Sequence, residues 1–64
     1  MTKYIVEARS TFGMPSLFAI DFKLMAEVEK KRAFRFTEEQ ARARAKAEKK
    51  LRPGRKVLII KVEE

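Results

Sequence analysis

The chain has 64 residues without cysteine, histidine or tryptophan, a length that predicts one small domain spanning residues 1–64. Its 45% apolar content is too high for a disordered segment, and its longest apolar runs, of four residues, are far too short to span a membrane. The lack of cysteine excludes a disulfide framework and is typical of a reducing, cytoplasmic location. Since the usual metal ligands are missing, we expect no metal and no other cofactor.

The positive charge is concentrated in one segment. Sixteen basic and nine acidic residues give the chain a net charge of +7. Segment 42–56 contains eight of the basic residues and one acidic residue, so it carries the whole net charge. A localised positive field attracts phosphate backbones, anionic surfaces or acidic protein patches.

The first predicted element is a strand over residues 3–9, where side chains alternate between two sides. Residues 10–16 follow as a loop marked by Gly13 and Pro15. Two apolar side chains, Phe12 and Met14, lie in this loop. We expect them to fold back as a lid on the core, the alternative being an anchor for a partner.

Segment Leu17–Glu29 is predicted to form one long strand, straight or bent. Every even position from 18 to 28 is apolar, which is the period of a strand. A helix opening near Met14–Ser16 is the competing interpretation, but the charged residues would then spread around most of the helix and leave no polar face.

Residues 30–32 are predicted to form a turn and residues 33–36 a short strand with both phenylalanines on one side. Thr37 and Gln40 have the spacing of a capping box, which predicts the start of a helix.

The helix should continue to Leu51, because nothing before residues 52–54 breaks it. Residues 55–62 are the last predicted strand. The expected fold is α+β, a small, largely antiparallel sheet in the order β-β-β-α-β with one helix packed on one face.

Helical spacing separates two faces of this helix. The predicted inner face consists of Gln40, Ala43, Ala47 and Leu51, with phenylalanines filling the gap to the sheet. The predicted outer face consists of Arg42, Lys46, Lys49 and Lys50.

A second apolar sheet face is predicted on the side away from the helix. Such a patch usually marks an interface, and a short chain gains by sharing a core, so we expect a homodimer. The alternatives are that lysine and glutamate stems cover the patch or that the sheet curls on itself. The predicted self-association residues are Ile5, Leu17, Ala19, Met25, Val57 and Ile59.

No residue set in the chain predicts catalysis. Glu27 and Glu29 would share a strand face but stand among basic residues, as ordinary surface charge does. Glu38 and Glu39 are explained by the helix dipole. Serines and threonines have no histidine to activate them, and two glycines make no phosphate-binding loop. The sequence therefore predicts a protein that is not an enzyme.

The basic segment is the candidate site for a partner or nucleic acid. Its residues are Arg42, Lys46, Lys49, Lys50, Arg52, Arg55 and Lys56. The alternative is that cations near a helix C-terminus stabilise the dipole and keep the protein soluble. Only Tyr4 and Phe12 are placed to stack on bases.

Residues 33–41, AFRFTEEQA, and residues 56–64, KVLIIKVEE, form a strand end, a capped helix and a closing strand. This pattern resembles small proteins of tailed bacteriophages. The resemblance implies a phage accessory factor in the host cytoplasm that redirects or blocks a host machine, and it brings no catalytic or binding residues.

Together these features predict a non-enzymatic binding protein. It would modulate or inhibit a host protein or nucleoprotein with an acidic surface, through the basic helix face, and would not bind membranes. The alternative is sequence-nonspecific nucleic-acid binding, and a third interpretation is a small subunit of a larger assembly.

Overall fold

A computed structural model describes residues 2–10 and 13–63. They form a four-stranded antiparallel sheet and one packed helix in the order β-β-β-α-β, which confirms the predicted α+β class. The elements are β1 (Thr2–Ser10), β2 (Leu17–Ala19), β3 (Met25–Ala26), a 3-10 helix (Lys30–Arg32), α1 (Glu38–Leu51) and β4 (Arg55–Glu63). The strand order across the sheet is β3-β2-β1-β4.

Strands β1 and β4 make up most of the sheet. They pair along their whole length, from Thr2 opposite Glu63 to Ser10 opposite Arg55. Strand β1 was predicted from its alternating side chains and β4 from its apolar centre, each to within a residue at its ends. Since β1 lies between β2 and β4, strand β4 forms one edge of the sheet.

The predicted long strand over Leu17–Glu29 is wrong. The chain turns after β2, because the Asp21 carboxylate accepts hydrogen bonds from the backbone N–H groups of Lys23 (2.7 Å) and Leu24 (2.6 Å). The Ile20 N–H then donates to the Leu24 carbonyl at 3.1 Å. An aspartate that bonds its own backbone two residues ahead initiates a turn, and this local preference overrides the alternating pattern.

The predicted third strand over residues 33–36 is reduced to one bridge. Tyr4 and Phe36 exchange backbone hydrogen bonds of 2.9 and 2.7 Å, and the Phe34 N–H donates to the Ala19 carbonyl at 2.8 Å. The third strand of the sheet is instead β3, inside the segment predicted as one strand. Phe34 and Phe36 do share a side, with ring centroids 4.7 Å apart.

The ends of helix α1 are as predicted. Its capping box is complete, since the Gln40 N–H donates to the Thr37 hydroxyl at 3.2 Å and the Thr37 N–H donates to the Gln40 side chain at 3.1 Å. At the other end the Arg52 N–H donates to the Glu48 carbonyl at 2.8 Å, and Pro53 begins the turn into β4. The cap and the proline therefore define the helix.

The predicted inner face of α1 is wrong. Gln40, Ala43, Ala47 and Leu51 are all exposed, and Leu51 retains 72% of its accessible surface. The buried residues are Ala41, Arg44, Ala45 and Glu48. A face with two charged residues is buried because Arg44 and Glu48 pair with each other one helical turn apart.

Both faces of the sheet are covered. The helix side holds one core cluster, formed by Val6, Ala8, Ala19, Phe36, Ala41, Ala45 and Val57. The far side holds a second, formed by Ile5, Phe18 and Ala33 with Val28, Ile60 and Val62 packed against it. The chain between β3 and α1 thus supplies Val28 and Ala33 to close the face that lacks a helix.

This arrangement overturns the predicted second apolar face. Leu17, Ala19, Met25 and Val57 belong to the helix-side cluster, and Ile5 is buried in the far-side cluster. The register explains the error, because Leu17 lies opposite Ala8 and therefore shares its side of the sheet. Ile59 is 40% exposed, but it pairs with Val6 and lies on the helix side.

The predicted apolar lid over the core is wrong for Met14, which is 60% exposed. Phe12, the other residue of that prediction, lies outside the described residues. Among the described residues of the loop, the apolar side chain therefore faces solvent rather than the core.

Candidate binding surface on helix α1

The outer face of α1 carries the cations that the sequence predicted there. Arg42, Lys46, Lys49 and Lys50 are all exposed, on the side of the helix opposite its buried residues. Their placement is confirmed, whereas their role in binding stays a prediction.

One of these four cations is neutralised by a neighbour. The Arg42 Nη2 lies 2.6 Å from a Glu38 carboxylate oxygen, and the other oxygen of Glu38 accepts a hydrogen bond of 3.2 Å from the Tyr4 hydroxyl. Partial burial and this hydrogen bond raise the pKa of Tyr4 above its ordinary value. Lys46, Lys49 and Lys50 have no ion-pair partner among residues 2–10 and 13–63.

The other three predicted cations do not extend this face. Arg52 is held by Glu48, with Nε 3.1 Å from the carboxylate, and Arg55 is half-buried. Lys56 lies opposite Arg9 in the pairing of β4 with β1, on the side of the sheet away from the helix. Strand alternation accounts for the separation, since consecutive residues of β4 point to opposite faces. Of the seven predicted cations, the structure therefore groups only the four on α1 into one exposed face.

Beneath the helix, a buried ion cluster holds the Asp21 turn in place. The Arg44 Nε donates to Glu48 at 3.0 Å, and its Nη1 donates to the Asp21 backbone carbonyl at 2.8 Å. The Arg44 side chain is only 7% exposed, and Glu48, at 3%, also accepts from Arg52. A charged hydrogen bond from Arg44 to the Asp21 carbonyl therefore connects α1 to the turn that follows β2.

The docked turn presents Phe22 beside the helix. Its ring centroid is 5.0 Å from that of Phe34 and 5.8 Å from that of Phe36, yet Phe22 remains 59% exposed. An aromatic ring that packs on one side only leaves its other side open to a ligand.

Phe22 forms one wall of an open groove of about 300 Å³. The groove is lined by Phe22, Phe36, Gln40, Ala43, Arg44 and Ala47. Sequence reasoning missed this groove because it assigned Ala43 and Ala47 to the buried face. The signal in the sequence was Asp21, whose tendency to form turns places Phe22 in a loop.

Cations lie along the rim of the groove. Lys46 follows Ala43 by three residues and Lys50 follows Ala47 by three, so each lysine neighbours a groove alanine on the helix surface. We use the name helix groove for this surface, an apolar channel with a basic border.

A second depression, of about 460 Å³, is lined by Glu27, Val28, Glu29 and Arg32. Both glutamates are exposed, and Glu29 pairs with Lys31 at 3.3 Å. This is the surface-charge arrangement expected for these two carboxylates. This depression differs from the helix groove because its lining is charged, with two glutamates, rather than mostly apolar.

Comparisons with models of protein families, with curated proteins and with solved structures found no match to this chain. No helix within residues 2–10 and 13–63 is long and apolar enough to cross a membrane. The same residues contain no group of three or more side chains able to hold a metal ion.

Proposed function

We propose that the protein is a non-enzymatic binding protein whose helix groove takes an acidic amphipathic segment of another protein. The observation that carries this proposal is the juxtaposition of unpaired lysines with an open apolar channel. A segment with apolar residues on one side and carboxylates beside them would satisfy both parts of the surface at once.

The apolar part of the groove is suited to a second helix. Ala43 and Ala47 lie one turn apart and have the smallest apolar side chains, so a partner backbone can approach α1 closely. Phe22 offers an aromatic surface against which a leucine or phenylalanine would pack. Helix-in-groove recognition places such anchors at intervals of three and four residues.

The lysines supply attraction and orientation. Lys46 and Lys50 stand on the groove border, and Lys49 extends the field along the helix. Since these side chains are exposed, each pair with a carboxylate contributes little by itself, but together they accelerate encounter and reject basic partners. The net charge of +7 acts in the same direction over a longer range.

Sequence-nonspecific nucleic-acid binding is the second candidate, favoured by the row of cations along α1. Phosphate backbones would pair with Lys46, Lys49 and Lys50 but would leave Phe22 and the alanines unused. Tyr4, which the sequence offered as a stacking residue, is half-buried and hydrogen-bonded to Glu38. A protein segment accounts for more of the surface.

The resemblance to small phage proteins extends the proposal to the kind of partner. A phage accessory factor would act in the host cytoplasm, and its acidic partner would be a host protein or nucleoprotein that it modulates or inhibits.

Binding of defined probes tests this proposal. The probes are a labelled helical peptide with leucines on one side and glutamates beside them, a scrambled peptide of the same composition, a short duplex DNA and a single-stranded RNA. Fluorescence anisotropy should show that the amphipathic peptide binds about ten-fold or more tightly than its scrambled form, because only the amphipathic peptide fills the groove.

A matched pair of charge reversals locates the binding site. Lys46→Glu with Lys50→Glu changes the groove border, whereas Lys30→Glu with Lys31→Glu changes the net charge equally at the exposed 3-10 helix. The first pair should weaken peptide binding about ten-fold or more and the second only slightly. Equal loss in both variants, or stronger binding to DNA or RNA than to the peptide, would contradict a protein-binding groove.

A further inference from the structure

Strand β4 has a free edge of unusual length for so small a sheet. It runs for nine residues, pairs with β1 on one side, and has no strand of the described residues on the other. The unpaired N–H and C=O groups along such an edge are a template for another strand. A protein of this size also buries a limited core by itself and gains stability from association.

We propose that a second copy of the chain pairs with this edge, β4 against β4 in antiparallel orientation, to form one continuous eight-stranded sheet. This interface lies at the sheet edge and is separate from the helix groove. It is isologous, so that the same surface serves both copies.

Symmetry restricts the register of this pairing. Antiparallel neighbours in one sheet are related by a two-fold axis perpendicular to it, and that axis keeps each side chain on its own face of the sheet. Residues that oppose each other lie on the same face, so the central residue of β4 must oppose its own copy. The registers that remain near the middle of the strand are centred on Leu58, Ile59 or Ile60.

The register centred on Ile59 pairs all nine residues of β4. It places Arg55 opposite Glu63 at both ends and Leu58 opposite Ile60 beside the axis. Centring on Leu58 would instead put Arg55 opposite Lys61, which is repulsive, and centring on Ile60 would pair only seven of the nine residues of β4 and leave out Arg55 and Lys56. The pairing of opposite charges and the number of paired residues therefore both favour the register centred on Ile59.

Burial and hydrogen bonding favour the same register. Ile59 is 40% exposed in one copy and would be covered by its own copy across the axis. The Arg55 Nη1 is buried without a hydrogen-bond partner among the described residues, and Glu63 of the second copy would bring a carboxylate to the opposing position. The side chain of Glu63 is 69% exposed in one copy, where it contacts the Thr2 hydroxyl at 3.2 Å and Lys61 at 3.5 Å, so pairing with Arg55 of the second copy would exchange these surface contacts for one with a buried guanidinium.

The two helices would lie on the same side of the joined sheet. Helix α1 packs over β1 and β4, so the two copies of α1 would run side by side near the axis. Their cationic surfaces would then form one larger basic surface. Because two copies of net charge +7 repel each other, the association is best measured at physiological salt, where that repulsion is screened.

Sedimentation equilibrium of the full chain over a range of concentrations tests the proposal. The unmodified protein should show a monomer–dimer equilibrium, and Ile59→Lys should remain monomeric because it places two charges at the axis. Met14→Lys introduces a lysine in place of another exposed apolar residue, in a loop, and should dimerise normally. Circular dichroism establishes that each variant is folded. A monomer at every concentration for the unmodified protein would overturn the proposal.

Two further pairs of variants test the register. Glu63→Arg should weaken the dimer by placing two arginines opposite each other, and the added change Arg55→Glu should restore it. Because the chain has no cysteine, Ile59→Cys should form a disulfide-linked dimer under mild oxidation. Lys61→Cys should not, since in this register residue 61 lies opposite residue 57. The two cysteines would therefore be offset by four residues along the paired strands, about 14 Å. Equal cross-linking of both variants would overturn the Ile59 register.

These tests are independent of the proposed groove. Ile59→Lys should still bind the acidic peptide as a monomer, and the groove variant with Lys46→Glu and Lys50→Glu should still dimerise. Failure of one proposal is therefore distinguishable from failure of the other.

Discussion

Two faces of helix α1 differ in their burial. The face with Arg44 and Glu48 packs against the sheet and is almost completely buried. The face with Ala43 and Ala47 stays open and lines the helix groove. The charges of the buried face pair with each other and also bind the Asp21 turn and Arg52, and among the described residues the Arg44 Nη2 is the atom of this pair that is buried without a hydrogen-bond partner.

The difference shows that burial follows from satisfied contacts as well as from hydrophobicity. A buried charge is tolerated where an opposite charge and further hydrogen bonds compensate its desolvation. The alanine face lies beside the Asp21 turn, where Phe22 lines the same open groove as Ala43 and Ala47. Its exposure beside unpaired lysines is the basis of the proposed function.

Removing the buried carboxylate should have the largest effect on stability. Glu48→Ala leaves Arg44 buried without its ion-pair partner, which typically costs about 3–5 kcal/mol. Chemical denaturation followed by circular dichroism measures the loss. The matched double change Arg44→Met with Glu48→Leu should be neutral or stabilising by about 1–4 kcal/mol. A cost below about 1 kcal/mol for Glu48→Ala would mean that this face is not buried as described.

A matched pair of alanine changes compares the two faces directly. Ala45→Met enlarges a side chain that is 5% exposed under the helix, and overpacking should cost about 1–3 kcal/mol. Ala47→Met makes the same change with the same helix propensity on the groove face, and should stay within about 0.5 kcal/mol. Thermal unfolding of the two variants side by side measures the difference. Equal costs would remove the distinction between the faces.

Loss of the helix cap should have an effect of intermediate size. Thr37→Ala removes the hydroxyl that accepts from the Gln40 N–H, at a cost of about 1 kcal/mol. Thr37→Ser keeps the acceptor and is the control, expected to be close to the unmodified protein in urea unfolding. Because the cap serves both faces equally, peptide binding by the folded Thr37→Ala variant should be unchanged.

The Asp21 turn should make a smaller, pH-dependent contribution. Backbone N–H donors, first Leu24 and then Lys23, hold the pKa of Asp21 below its ordinary value. The resulting stability is therefore present above the unfolded pKa of about 4 and is lost as the pH falls through the folded pKa. Asp21→Asn keeps an acceptor but cannot titrate. Its stability should be below that of the unmodified protein at pH 7, and the gap should narrow in acid; a constant gap would contradict this linkage.

Much of this architecture was predictable from local patterns. The alternation in β1, the apolar centre of β4, the Thr37–Gln40 capping box and the break at Pro53 each act within a few residues, and the structure shows all of them. The inner helix face was not predictable in the same way, because it depends on a long-range contact between Arg44 and Asp21. Hydrophobic periodicity favoured Ala43, Ala47 and Leu51 and gave no weight to a buried ion pair.

The candidate site was predicted in part. Exposure of Lys46, Lys49 and Lys50 follows from helical spacing, whereas Lys56 and Arg55 depend on which face of β4 they occupy. The groove depends on a turn that the alternating pattern concealed. Local sequence patterns therefore predicted the exposed charges but not the apolar channel beside them.

Backbone amide chemical shifts recorded while the acidic amphipathic peptide is added would show whether the helix groove is the binding site. We predict changes that centre on Phe22, Ala43, Ala47 and Lys50 and that disappear in the variant with Lys46→Glu and Lys50→Glu. Changes confined to the far side of the sheet around Lys56, or no changes at peptide saturation, would contradict it.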